Sequence, residues 1–192
     1  MRITIRAAAL STLLLANGSA LAEPGGDEWA AKLQIEKPDF GIVVLDAVVI
    51  KNKIPLGCSI TYVGVAKAEG GARGLLENSS QFLGKRTWGL SGLASGQWTI
   101  TSLECKGNAK FNGPFARFVV RPREVTNIGK LVIEYEAQGL FPQSATARVR
   151  VDKSDAEHLA NLREKAPRTL QKAVSRPMVV LQSVGRFNGM GL

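Results

Sequence analysis

Asp46 stands inside the apolar run Gly41-Ile42-Val43-Val44-Leu45-Asp46-Ala47-Val48-Val49-Ile50, where an ionised carboxylate is costly to bury without partners. Such an acid suits glycosidase-type chemistry, which needs two carboxyl groups flanking a cleft, and equally an edge position or a satisfied structural role. Its parity places it with Val44 and Val48 rather than with Leu45 and Ala47. His158 is the only histidine, beside Glu157 at the start of a helical pattern. A catalytic imidazole needs an orienting partner and a nucleophile within reach, so a solvated surface residue is the expectation. No Gly-x-Ser-x-Gly, Ser-x-x-Lys, His-Glu-x-x-His, Walker or dinucleotide-binding pattern occurs. The sequence therefore names no catalytic residue, no metal ligand set and no cofactor.

The cysteines are Cys58 and Cys105, both in strand-like runs. Two thiols with a single histidine are too few for a structural zinc site, and a dithiol catalyst favours Cys-x-x-Cys. In an oxidising compartment a structural disulfide between them is expected.

Arg117, Arg121 and Arg123 fall within seven residues, followed by Lys130. Alternation assigns Ala116, Phe118 and Val120 to one face of a strand and Arg117, Val119 and Arg121 to the other. Lys130, Val132, Glu134 and Glu136 oppose Leu131, Ile133 and Tyr135 in the next strand, and Arg148, Arg150 and Asp152 oppose Ala147, Val149 and Val151 in the one after. The arginines thus read as the wet side of an antiparallel sheet, with Glu134 diagonal to Arg148. Arg117, Arg121, Arg123 and Lys130 are candidates for binding an anion or an acidic partner, joined by Lys85, Arg86 and Trp88 of the loop Gly84-Lys85-Arg86-Thr87-Trp88-Gly89. Trp29, Trp88, Trp98 and Tyr62 have the chemistry of a sugar-stacking platform, although a strand tryptophan such as Trp98 more often fills a core.

The first residues have the three parts of an export signal: Arg2 and Arg6, an apolar run from Ala7 to Ala16, and Ala20-Leu21-Ala22. That run is shorter than the ~20 residues that span a bilayer. Cleavage after Ala22 and a periplasmic or secreted product are expected, with no lipid-accepting cysteine after the site and no transmembrane segment. The chain carries 25 basic and 16 acidic residues, a formal charge of +9, which becomes +7 without Arg2 and Arg6. That balance favours acidic partners.

These residues must be positioned by strands, and turn residues separate the candidates: 40–51, 58–66, a weak one at 81–89, 97–105, 116–121, 128–137 and 144–152. An extended lead-in is expected at 23–39 and the β domain at 40–152. A helical segment follows at 153–176, with Ser154 and Glu157 at capping-box spacing and Pro167 as a break. Residues 177–192 read as a tail with an edge strand near 178–183.

Leu93-Ala94-Ser95-Gly96-Gln97-Trp98-Thr99-Ile100 and Phe118-Val119-Val120-Arg121-Pro122-Arg123-Glu124-Val125-Thr126-Asn127-Ile128-Gly129-Lys130-Leu131 resemble the strand-entry and strand–turn–strand segments of bacterial exported prealbumin-like, carboxypeptidase-regulatory-type domains. Arg123 stands where that pattern has glycine and Ser95 where it has proline. The resemblance covers residues 93–131 and implies a non-catalytic envelope domain. The expected fold is mainly β: an antiparallel immunoglobulin- or prealbumin-like β-sandwich with a C-terminal α-helix. Three functions compete: a non-enzymatic protein that binds or scaffolds an envelope macromolecule, a carboxylate-dependent enzyme acting on an envelope glycan, and a basic module holding an anionic polymer. The partner expected is an envelope protein or an anionic polysaccharide, and not a nucleic acid.

Overall fold

The period-two runs become the strands of two facing sheets. The computed structural model describes residues 25–55, 60–68, 73–77, 90–105, 110–136, 145–181 and 184–187. The elements are α1 (Gly26–Glu36), β1 (Phe40–Lys51), β2 (Ile54–Pro55), β3 (Ile60–Lys67), β4 (Arg73–Glu77), β5 (Leu90–Ala94), β6 (Gly96–Cys105), β7 (Lys110–Val120), β8 (Val125–Glu136) and β9 (Ala145–Asp152). They are followed by α2 (Ala156–Lys165), α3 (Pro167–Gln171), β10 (Val174–Ser175), β11 (Val179–Val180) and β12 (Val184–Phe187). The first sheet runs β12-β9-β8-β1-β2, with β5 on β1 and β10 on β8; the second runs β11-β7-β6-β3-β4. Most pairings are antiparallel, but β1 and β10 both lie parallel to β8, a non-local choice that alternation does not encode.

Between the sheets lies one apolar core. Val43, Leu45, Leu131, Ile133 and Val149 of the first sheet meet Val63, Ile100, Leu103, Phe115, Phe118 and Val120 of the second. Strand β1 is buried on both faces, which is why it is apolar without alternation. Its other face, Ile42 and Val44 with Leu90 and Val125, is covered by Ala30 of α1, Leu162 of α2, Ala166 between α2 and α3, and Leu170 of α3. The molecule therefore has three layers: helices, first sheet, second sheet.

The segment from Val174 to Leu181 closes one side. Arg176 and Met178 donate their amides to the Asn127 and Ile128 carbonyls of β8, and Leu181 donates to the Phe115 carbonyl of β7. The chain so passes from one sheet to the other, with Met178 buried in the core at the crossing.

Several expectations are corrected. Residues 26–36 are helical rather than an extended lead-in: Asp27 and Glu28 sit in the first turn, where acids favour a helix, and Ala30 is buried with Trp29 and Leu33 packed beside it. Strand β7 starts at Lys110 and runs through Asn112-Gly113-Pro114, because a register irregularity opposite Ile100–Ser102 absorbs the breakers. Strands β4 and β5 were not expected, and the expected strand at 81–89 lies outside the described residues. The tail contains β12, paired with β9. Asp155 is the N-cap residue of α2, and Ser154 instead donates its hydroxyl to Asn127 Oδ1 at 2.9 Å, so no capping box forms. Glu134 stands directly opposite Arg148, and its ion pair is with the diagonal Arg150 at 3.0 Å.

Candidate functional site

The basic residues chosen from the sequence do not form one cluster. Strand β7 turns Phe118 and Val120 into the core and presents Arg117 and Val119 outward, as alternation requires. Arg117 is flanked across the ladder by Val179 of β11 and Thr99 of β6, and Val119 by Gln97. Val119 is 50 % and Val179 53 % exposed, high values for β-branched residues in regular strands. Arg121 and Arg123 follow at the end of β7, both exposed. The turn there has Pro122 at its second position and Arg123 at φ +58°, closed by the Glu124 amide donating to the Arg121 carbonyl at 3.3 Å. The Arg123 amide donates to the Phe40 carbonyl and its carbonyl accepts from Gln34, so the backbone is pinned while the side chain is exposed.

Among the described residues neither Arg117 nor Arg123 has an ion-pair partner. Arg121 lies near Glu124, but that carboxylate is held by Arg176 Nε at 2.9 Å and by the Thr126 hydroxyl at 3.0 Å. The Arg176 hydrogen bonds, chiefly, keep Glu124 below its ordinary 4.5, against the opposing effect of burial. The result is a strip on the outer face of the second sheet where two valines lie among arginines.

Lys130 belongs elsewhere. It points from the opposite face of the first sheet, its side chain is only 17 % exposed, and it is ion-paired with Asp155. The reason is a bulge: Val44 pairs with Asn127 but Asp46 with Lys130, so Ile128 and Gly129 together oppose Leu45. Gly129 has φ +87°, and a Cβ there would lie 2.8 Å from the Asp152 carbonyl oxygen, so only glycine fits. Lys85, Arg86, Trp88 and Cys58 lie outside the described residues. Cys105 ends β6 with its backbone opposite Ile60.

Asp46 is buried, 8 % exposed, on the helix side of β1 as its parity implies. Its Oδ2 accepts the Asp155 amide at 3.3 Å. His158 joins it, and the expectation of a solvated histidine is corrected: α2 lays the imidazole against the sheet, bonded to the Leu45 backbone, with Nε2 buried and without a hydrogen-bond partner. Burial pushes this imidazole below 6.5, against the upward pull of Asp46 and Asp155. No local signal joins residues 46 and 158, because the contact exists only once α2 has docked.

Among the described residues two clefts lie beside the helices. One of about 260 Å³ is lined by Asp27, Gln34, Arg168, Thr169 and Lys172, and another of about 110 Å³ by Asn127, Leu159, Arg163 and Ser175; Asp46 lines neither. Trp98 fills the core and donates Nε1–H to the Ala94 carbonyl at 2.9 Å, whereas Trp29 lies in the helical layer on the far side of the first sheet. These two do not form a stacking platform. Among the described residues no group of three or more His, Cys, Asp or Glu is placed to hold a metal ion, and no helix is long and apolar enough to cross a membrane.

No protein-family model, curated protein or solved structure matches this chain.

Proposed function

We propose that this chain is an exported, non-enzymatic protein of the cell envelope that binds or scaffolds another protein through the outer face of its second sheet. The observation that carries the reading is the strip in which exposed Val119 and Val179 adjoin Arg117, with Arg121 and Arg123 beyond them. An apolar centre rimmed by cations suits a partner surface that is apolar with acidic edges, and exposed valines gain by being covered. The valines favour a protein over a polysaccharide. The pure polyanion reading needs Arg117, Arg121, Arg123 and Lys130 together, and Lys130 is on another face with Asp155. The glycan-enzyme reading needs Asp46 at a cleft, and it is covered by α2.

Gel filtration of an extract from the cells that make the protein tests this. The wild-type chain is expected to elute in a larger complex and Arg117→Glu/Val119→Glu as a folded monomer. Identical elution of the two would refute the reading.

A further inference from the structure

The Asp46–His158 site is built unlike the rest of the helical layer. Elsewhere the helices cover the first sheet with apolar groups: Leu162, Ala166 and Leu170 on Ile42, Val44 and Val125. At the start of α2 the sheet instead presents a buried carboxylate, and the helix answers with the only histidine of the chain. The groups facing that imidazole are Asp46 from β1, Lys130 from β8 and Asp155 from the segment before α2. Lys130 is taken by Asp155, while on β9 Asp152 is taken by Arg150. Asp46 receives one long amide hydrogen bond. The Nε2 atom has no acceptor, so a proton arriving there enters a buried position that no acceptor is set to receive.

The helix carrying this histidine is thinly attached. Leu162 is its one fully buried residue, and its N-cap Asp155 gives its carboxylate to Lys130 rather than to the amides of the first turn. A segment with so few buried contacts opens locally at low cost.

We propose that His158 is a proton-operated latch: in its neutral form it holds α2 against the first sheet, and protonation releases α2 and uncovers the apolar face around Val44, beside which Leu159 of α2 lies. The sign follows from linkage. The docked imidazole lies below 6.5, so its contribution to holding α2 is complete above about pH 6.5 and is lost as pH falls through the docked value. Asp46 and Asp155 temper the effect by attracting the proton; the bulge at Gly129, which sets Lys130 beside Asp46, works against them. The released face lies on the opposite side of the first sheet from the core, so the latch acts independently of the strip on the second sheet.

Because there is one histidine, its ring resonances report the titration of the intact protein without assignment. Amide exchange at Leu162 and Ala166, corrected for intrinsic rates, is measured alongside between about pH 7.5 and 5.5, the range in which histidine changes charge. Wild type is expected to lose protection across that range as the imidazole takes up its proton. His158→Gln is expected to lose none, and Asp46→Asn, lacking the tempering charge, to lose more. A histidine titrating at or above 6.5 with unchanged protection overturns the latch, as does an equal loss in wild type and His158→Gln. If His158→Gln does not fold, the wild-type titration and the Asp46→Asn comparison decide.

Discussion

Asp27, at the start of the first helix, caps a helix 142 residues away: its Oδ1 accepts the Thr169 amide at 2.8 Å and the Thr169 hydroxyl at 2.7 Å, while Oδ2 accepts the Arg168 amide at 3.0 Å. Helix α3 has no side-chain cap of its own, so this carboxylate satisfies amides that would otherwise lack partners and ties α1 to α3. Asp27→Ala is expected to cost about 1 kcal/mol, the usual worth of a cap, in a denaturant titration. Burial alone would raise this carboxyl, but the hydrogen bonds from Thr169 and Arg168 outweigh it and hold the group below its ordinary 3.8. The tie is therefore present above pH 3.8 and lost as pH falls through the lowered value, an acid sensitivity absent from Asp27→Ala.

Adjacent residues of β7 should respond oppositely to substitution. Phe118 is in the core and Phe118→Ala is expected to cost about 3–5 kcal/mol, whereas Val119→Thr, on the open face, stays within about 0.5 kcal/mol. A larger cost for Val119→Thr than for Phe118→Ala in thermal unfolding would mean that β7 is turned the other way.

That contrast also shows what the sequence makes legible. The facing of Phe118, Val119, Leu131 and Val149 follows from alternation alone, as does the side taken by Asp46. The switch at Ser154 announced the C-terminal helix. Helix α1 was missed because Pro24, Gly25 and Gly26 dominate its approach, although Asp27 and Glu28 followed by Ala30 and Leu33 carry a first-turn and i, i+3 signal. The parallel pairing of β1 with β8, the bulge that brings Lys130 to Asp46, and the burial of His158 depend on residues about 80 to 110 positions apart in sequence, and no local pattern encodes them.

Arg123 holds a left-handed conformation that costs a non-glycine residue roughly 1–2 kcal/mol, while glycine gains freedom in the unfolded chain. Arg123→Gly is therefore expected to leave stability unchanged or raise it by up to about 1 kcal/mol. Under the proposed function the same change weakens partner binding. Stability and binding falling together would show that the arginine serves the turn and not the partner.

A bridge between Cys58 and Cys105, expected from the sequence, closes a loop of roughly 48 residues and on the chain-entropy model is worth about 4 kcal/mol. Reductant should lower the unfolding midpoint of wild type by a corresponding amount and leave Cys58→Ser/Cys105→Ser unaffected. Wild-type protein that binds thiol reagents fully before reduction would contradict the bridge.

The most direct test of the binding face is a photo-crosslinking side chain placed at Val119 in the cells that make the protein, with exposed Glu164 of α2 as the comparison site. The account predicts one discrete protein adduct from position 119, abolished by Arg117→Glu and absent from position 164. The same adducts from both positions, or none from 119, would contradict it.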